Sequence, residues 1–425
     1  MNQKRFRSLA LSFTIGCGIV AALPASAAPQ KGAPVQEIGL YHRLPEAKAA
    51  ALQELVERFN AQSKSVRVVL AEQDWRAASA PHLLILEGEE EEAFLAGKPR
   101  FKPLHALMKE GGVPLQTLRP PAMMTRTPVD AKGQLLALPV GLSTPLLYLN
   151  RDALRRAGVN PDEAPVGTWH GLQDVLGRLV DAGHTCPYTV AQPGRVMVEN
   201  LSAWHNQPVA AVNGKSTAPS FNGMFQVKHV AMMASWARAR YLHVFDRESE
   251  AEERFAAGDC AVIAAPSASW PDFRRKGGVD VGVTRLPYYD DFPGAPQNTL
   301  ADGPALWASA GKKPGEYKAV AQFVGFWLQP QNQVAWQRGT GYLPLNRAGL
   351  LASESELLGD DLTNVRVAVA QLTNKPATAV SAAQPVVERQ RVRRIIDEEL
   401  AGVWADKKAA KEALDNAVQR ASSGG

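Results

Sequence analysis

The chain has 425 residues, 45% of them hydrophobic and 21% charged, and carries 47 basic against 42 acidic side chains, a net charge of +5. Three of the basic residues, Lys4, Arg5 and Arg7, stand at the extreme N-terminus, so the chain beyond residue 28 carries only +2. A balance this close to neutral excludes the electrostatic footprint of a nucleic-acid-binding protein. The roughly 397 residues that follow are too many for one hydrophobic core and suit two domains.

Residues 1–28 read as a secretory signal peptide: a basic start, an apolar run from Leu9 to Leu23, and an A-x-A cleavage site in Ala25-Ser26-Ala27-Ala28. The run is short and glycine-broken for a membrane span, and Cys17, preceded by Thr-Ile-Gly, makes a poor lipoprotein box. Two cysteines remain, Cys186 and Cys260. In an oxidising compartment they either pair, a bridge adding roughly 4 kcal/mol in the chain-entropy model, or lie as two separate buried thiols.

Along the chain, Glu37–His42 reads as a short strand. A helix through Ala47–Gln62 follows, with Leu52, Leu55, Val56 and Phe59 on one face. Val66–Leu70 and Leu83–Leu86 are further strands, with no room for a full helix in Ala71–His82 between them. Strands alternating with helices predict a mostly parallel α/β sheet, and such sheets bind ligands beyond the carboxyl ends of their strands. The acidic run Glu87-Gly88-Glu89-Glu90-Glu91-Glu92 reads as a solvated helix start.

From Leu136 the chain is expected to cross into a second lobe. There the strand Leu146–Leu149 runs into Asn150, a helix-capping residue. The basic helix Arg151–Ala157 is stopped by Gly158, Pro161 and Pro165 punctuate a loop, and Thr168 caps a helix beginning at Trp169. Helices are expected around 169–182, 227–240 and 248–256, with apolar runs at 208–212 and 260–265. The turn-rich Leu286–Pro293 returns the chain to the first lobe. Helices near Lys318–Leu328 and Gln331–Arg338, the turn Gly341-Tyr342-Leu343-Pro344, and helices near 388–403 and 407–421 complete the reading.

The block Ser143–Trp169, with its strand, capped helix, proline loop and Thr-Trp, resembles the signature of extracellular solute-binding proteins of ABC importers. Glu199-Asn200-Leu201-Ser202-Ala203-Trp204, Gly258-Asp259-Cys260-Ala261, Ala295-Pro296-Gln297-Asn298 with Gly303 and Trp307, Thr340–Pro344 and Arg393–Leu400 are similar, in order, to elements of the glycerol-3-phosphate-binding family. The resemblance spans about residues 37 to 421. It implies a two-lobed type II binding protein, each lobe a mostly parallel sheet flanked by helices, with the ligand cleft between them. The expected division is 29–139 plus about 300–333 for one lobe and 140–299 plus about 334–425 for the other.

Carried over residue by residue, the resemblance implies Ser143 and Tyr342 as hydroxyl donors, Gly303 as a backbone donor and Arg393 as the charge partner of a phosphate. Arginine's planar fork matches a phosphate's oxygens. Trp169 and Trp204 are candidate walls of the cleft. Three positions depart from the family. Pro266 stands where it has a serine, leaving Ser267 to substitute. The short 71–82 loop leaves Trp75 as the candidate aromatic and Glu87 as the candidate glutamate. Asp302 replaces a glycine, and a carboxylate 4 Å from a phosphate charge is repulsive by roughly 4 kcal/mol at an effective dielectric of 20. Asp302 therefore either pairs with an arginine or faces a cationic headgroup, as in glycerophosphocholine-like diesters.

The resemblance implies a monomeric periplasmic protein that closes on a small phosphate ester and delivers it to inner-membrane ABC permease subunits, without metal or organic cofactor. A neutral sugar or polyol ligand is the alternative. The chain carries no H-E-x-x-H, G-x-S-x-G or phosphate-loop motif and no metal-spaced Cys/His cluster, so no enzyme is expected.

Overall fold

The structure is a computed structural model and describes residues 35–113, 115, 128–213, 216–245, 249–275, 277–378, 380 and 389–423. The leader expected at 1–28 lies outside them. Strands β1 (Gln36–His42), β2 (Val66–Ala71), β3 (Leu83–Leu86) and β11 (Ala305–Ala308) form one sheet in the order β11-β3-β1-β2. A second sheet orders β10 (Val281–Thr284), β4 (Pro145–Asn150), β9 (Cys260–Pro266), β5 (Cys186–Val190) and β8 (Leu242–His243). A separate hairpin joins β6 (Ala210–Asn213) to β7 (Ser216–Pro219).

The central strands are apolar because both their faces are covered: every residue of β3, β4, β5 and β9 is buried. Helix α1 (Glu46–Gln62) lays Leu52, Leu55, Val56 and Phe59 on the first sheet. On the second, α5 (Trp169–Asp181) buries Leu172, Val175, Leu176 and Leu179. The caps read from the sequence are made, Asn150 accepting from the Ala153 N–H at 3.0 Å and Thr168 from the Gly171 N–H at 3.1 Å. Cys186 and Cys260 face each other in register on β5 and β9 and form a disulfide.

Each sheet contains one reversed strand. β11 runs against β3, and β4 runs against both β10 and β9, while the other strands of each sheet share a direction. Both reversed strands are the first the chain enters after crossing between lobes, so they start at the cleft and lead away from it. The crossings themselves form an antiparallel ribbon: Leu138 exchanges backbone hydrogen bonds with Leu306 and Ser143 with Asp302, and the Gly141 N–H donates to Pro304 O at 3.0 Å.

Helices α10 (Pro314–Trp327) and α11 (Pro330–Thr340) stay on the first lobe, where Phe59 packs edge-on to Phe323 and Phe326 and Gly339 lies against Ala51. Only with α13 (Gly359–Leu372) does the chain rejoin the second sheet, through Asn364 on the Tyr148 hydroxyl at 2.8 Å. The apolar side of α11 (Val334, Trp336) joins the core under α1. Helices α14 (Arg389–Trp404) and α15 (Ala410–Ser422) close the second lobe.

Candidate functional site

A cavity of about 850 Å3 opens between the lobes. Its walls begin where strands end: Glu87 directly follows β3, Gln192 comes just after β5, and Phe245 lies beyond β8. Asp302 and Gly303 reach it from the hinge ribbon, and Arg393 from α14. This is the strand-end position that an α/β sheet reserves for ligands.

Four buried charges fill its hinge end. Arg393 donates from Nε and Nη2 to the two oxygens of Glu199 at 2.9 and 2.7 Å, and from Nη2 to Asp302 at 2.5 Å. Arg195 pairs with the other oxygen of Asp302 and donates to the Ser143 carbonyl at 2.8 Å. Burial alone would lower the Arg393 pKa, yet Asp302 and Glu199 hold it well above its ordinary value. The local backbone fits this use: Arg195 and Glu199 both lie on a π-helical turn, Gly194–Asn200, whose extra residue per turn is a recurrent feature of functional sites. Of the two readings of Asp302, the arginine partner is the one the geometry realises, and its carboxylate is spoken for twice.

Gly303 sits at φ +153°, and a Cβ there would stand 1.7 Å from the Gly141 carbonyl oxygen, so the close crossing of the ribbon requires glycine. Ser143 and Ser267 come together, their hydroxyls 3.3 Å apart, with Ser143 Oγ also accepting from the Ala268 N–H at 3.2 Å. Both serines are buried and engaged with each other. Tyr342 is buried beside them at the end of α11, stacked on Trp336, and burial raises its hydroxyl pKa well above the ordinary value. Glu87 lies exposed at the cavity edge.

Three aromatic candidates lie away from the cavity walls. Trp169 is a core residue of the second lobe, packed against His229 and Trp236 at 4.7 and 6.0 Å between ring centroids, because it shares the buried face of α5 with Leu172 and Leu176. Trp204 is buried as well, donating to Leu286 O at 3.2 Å. Trp75 does not line the cavity; its ring meets Phe94 edge-on and lies under the guanidinium groups of Arg76 and Arg100.

The acidic run starts helix α2 (Gly88–Leu95) as expected, with Glu87 and Glu89 exposed, and several of its carboxylates also meet partners. Glu89 pairs across the cleft with Arg394 at 3.0 Å, Glu92 accepts from the Gln390 N–H at 2.8 Å, and Glu91 accepts from Trp307 Nε1 at 2.9 Å. Burial pushes the Glu91 carboxyl up to about 7, against the opposing pull of Trp307 and Arg389. Sequence reasoning passed over Arg195, although a lone charge in the run Gly194-Arg195-Val196-Met197-Val198 signals a buried role. It also passed over Lys48, which reads as an ordinary surface position of a helix.

The family model described as bacterial extracellular solute-binding protein matches residues 54–355. Two proteins named sn-glycerol-3-phosphate-binding periplasmic protein, from Pectobacterium atrosepticum and Yersinia enterocolitica, are 32% and 33% identical to this chain; each alignment covers 91% of it, and 90% and 91% of the relative. Among solved structures, UgpB from Mycobacterium tuberculosis in complex with glycerophosphocholine superposes with a TM-score of 0.72 at 22% identity, covering 91% of this chain and 97% of that one. The GacH receptor of Streptomyces glaucescens, solved unliganded and with acarbose, gives 0.70 at 17% identity, with coverage of 91% and 97%.

Proposed function

Because this chain belongs to the bacterial extracellular solute-binding proteins, and its curated relatives are periplasmic, we propose that it captures sn-glycerol-3-phosphate or a glycerophosphodiester in the periplasm and presents it to the permease of an ABC importer. The observation that carries this reading is the cavity between the lobes, with charged and polar groups from both lobes and the hinge converging on it. A ligand held from both sides favours the closed arrangement by its contacts to each lobe, and hinge closure follows from that difference in affinity.

Each wall has a part in this. The hinge ribbon supplies Gly303 and the paired Ser143–Asp302 backbone, so the binding groups move with the crossing segments. Arg393 keeps Nη1 for a ligand oxygen, since among the described residues only its Nε and Nη2 are engaged. Glu87 and Gln192 at the strand ends accept and donate to glycerol hydroxyls. The protein acts as a monomer, and its work is capture, with no bond made or broken in the solute.

Titration calorimetry with sn-glycerol-3-phosphate, glycerophosphocholine and maltose tests this. Heat with either phosphate ligand and none with maltose is the expected result. Maltose binding alone, or no binding of any of the three, overturns it.

A further inference from the structure

The four charges at the hinge end of the cleft cancel, two arginines against Asp302 and Glu199. A further cation near them stands outside that network. Lys48 projects from the first turn of α1 and places Nζ 4.8 Å from the centre of the Tyr342 ring. Among the described residues it has no hydrogen-bond or ion-pair partner. Its electrostatic neighbours are Glu87 and Arg195, which line the 850 Å3 cavity, and Asp272 and Glu252 of the second lobe. A second cavity, of about 540 Å3, touches Ala47 beside Lys48 and Gly341 beside Tyr342.

Holding an ammonium there is costly on two counts. It has lost much of its water, and burial, the largest influence on it, lowers its pKa despite the acidic neighbours. The ring face of Tyr342 returns only part of that loss through its cation–π contact. A cation in the first turn of a helix also opposes the helix dipole. An ammonium held at this cost beside residues that line the cleft, with no carboxylate paired to it among the described residues, is what a group reserved for an incoming anion looks like.

We propose that Lys48 is the residue that takes the anionic phosphate of the ligand in this chain, the role that Arg393, already neutralised by Glu199 and Asp302, fills only in part. This rests on the reading that the ligand is a phosphate ester. Lys48 brings the charge from the first lobe, so the phosphate bridges it to the hinge and the second lobe, and closure depends on the anion. Asp302 then sets specificity by removing the free charge from the arginines, so that a ligand needs a phosphate placed toward α1.

The test is calorimetry on the purified protein with sn-glycerol-3-phosphate and glycerol, using Lys48→Met and Lys48→Arg, together with their melting temperatures without ligand. Lys48→Met is expected to bind glycerol-3-phosphate roughly 10- to 100-fold more weakly, the range for losing one charge-assisted hydrogen bond. Its melting temperature should hold or rise, and Lys48→Arg should recover much of the affinity. Binding by Lys48→Met within about 3-fold of wild type, on the scale of a neutral contact, overturns the inference while the phosphate-ester reading stands. A Lys48→Met that loses affinity and melting temperature together, with Lys48→Arg equally weak, assigns the residue to packing on Tyr342 and also overturns it. A wild-type protein that binds no phosphate ester removes both.

Discussion

Arg393 lines the cleft from one lobe, Lys48 lies near its Glu87 and Arg195 from the other, and they differ in what satisfies them. Arg393 is held bidentately by Glu199 and again by Asp302, in a constellation the fold completes by itself. Lys48 has an aromatic face beneath it and acidic groups only at a distance. The difference teaches that a positive charge at a binding cleft is not by itself a sign of an anionic ligand. What matters is whether the protein has already supplied the counter-charge.

The sharpest way to break the comparison is to remove that counter-charge. Asp302→Ala or Glu199→Ala leaves a buried guanidinium short of its partner, and each is expected to lower unfolding stability by about 3–5 kcal/mol in urea titration. A loss below about 1 kcal/mol would mean that the arginines are as free as Lys48. Gly303→Ala comes next. Its Cβ would displace the Gly141 carbonyl and with it the backbone that carries Asp302, at a cost of roughly 3 kcal/mol and a measurable loss of ligand affinity.

Acid titration separates charges that stay from groups that are kept neutral. Burial pushes His229 down to about 3 and His205 down to about 4, whereas both return to about 6.5 on unfolding. As pH falls below 6.5 the unfolded chain therefore binds protons first, and stability is lost. Glu91, raised to about 7, works in the opposite sense, its folded form taking the proton first as pH falls from 7. Two histidines against one carboxyl leave a net loss of roughly 2–3 kcal/mol between pH 6.5 and 4.5, and Glu91→Gln should steepen it. The smallest effect is expected from Arg394→Ala. Its ion pair with Glu89 is more than half exposed on both sides and should contribute less than about 1 kcal/mol, readable as a small, salt-sensitive change in the urea midpoint.

The parts of the molecule governed by local rules could be read from the sequence. Leu83–Leu86 is a strand within its predicted bounds, and Asn150 and Thr168 cap the helices they were expected to cap. These follow from apolar runs and from side chains that bond within three residues. Parts governed by distant encounters were not legible. β10 and β11 are four residues each and are specified by the edges they complete. The Arg195–Asp302 and Arg393–Asp302 pairs join positions about a hundred residues apart in sequence. Trp169 was misplaced for a related reason: a tryptophan at a helix start serves a cleft or a core equally well, and only its partners decide. Lys48 has the same ambiguity, since the sequence around it describes any solvated helix face.

The hinge ribbon has a practical consequence for following closure. Ser143 and Asp302 exchange both backbone hydrogen bonds, so when the lobes rotate they travel as a unit and the spacing between them hardly changes. Glu89 and Arg394 sit at the far rim, on helices that belong to different lobes. They are the ends of two lever arms pivoting on that ribbon, and a small rotation at the fulcrum is magnified there. A donor and an acceptor dye at these two positions would turn the molecule into an optical gauge of its own solute.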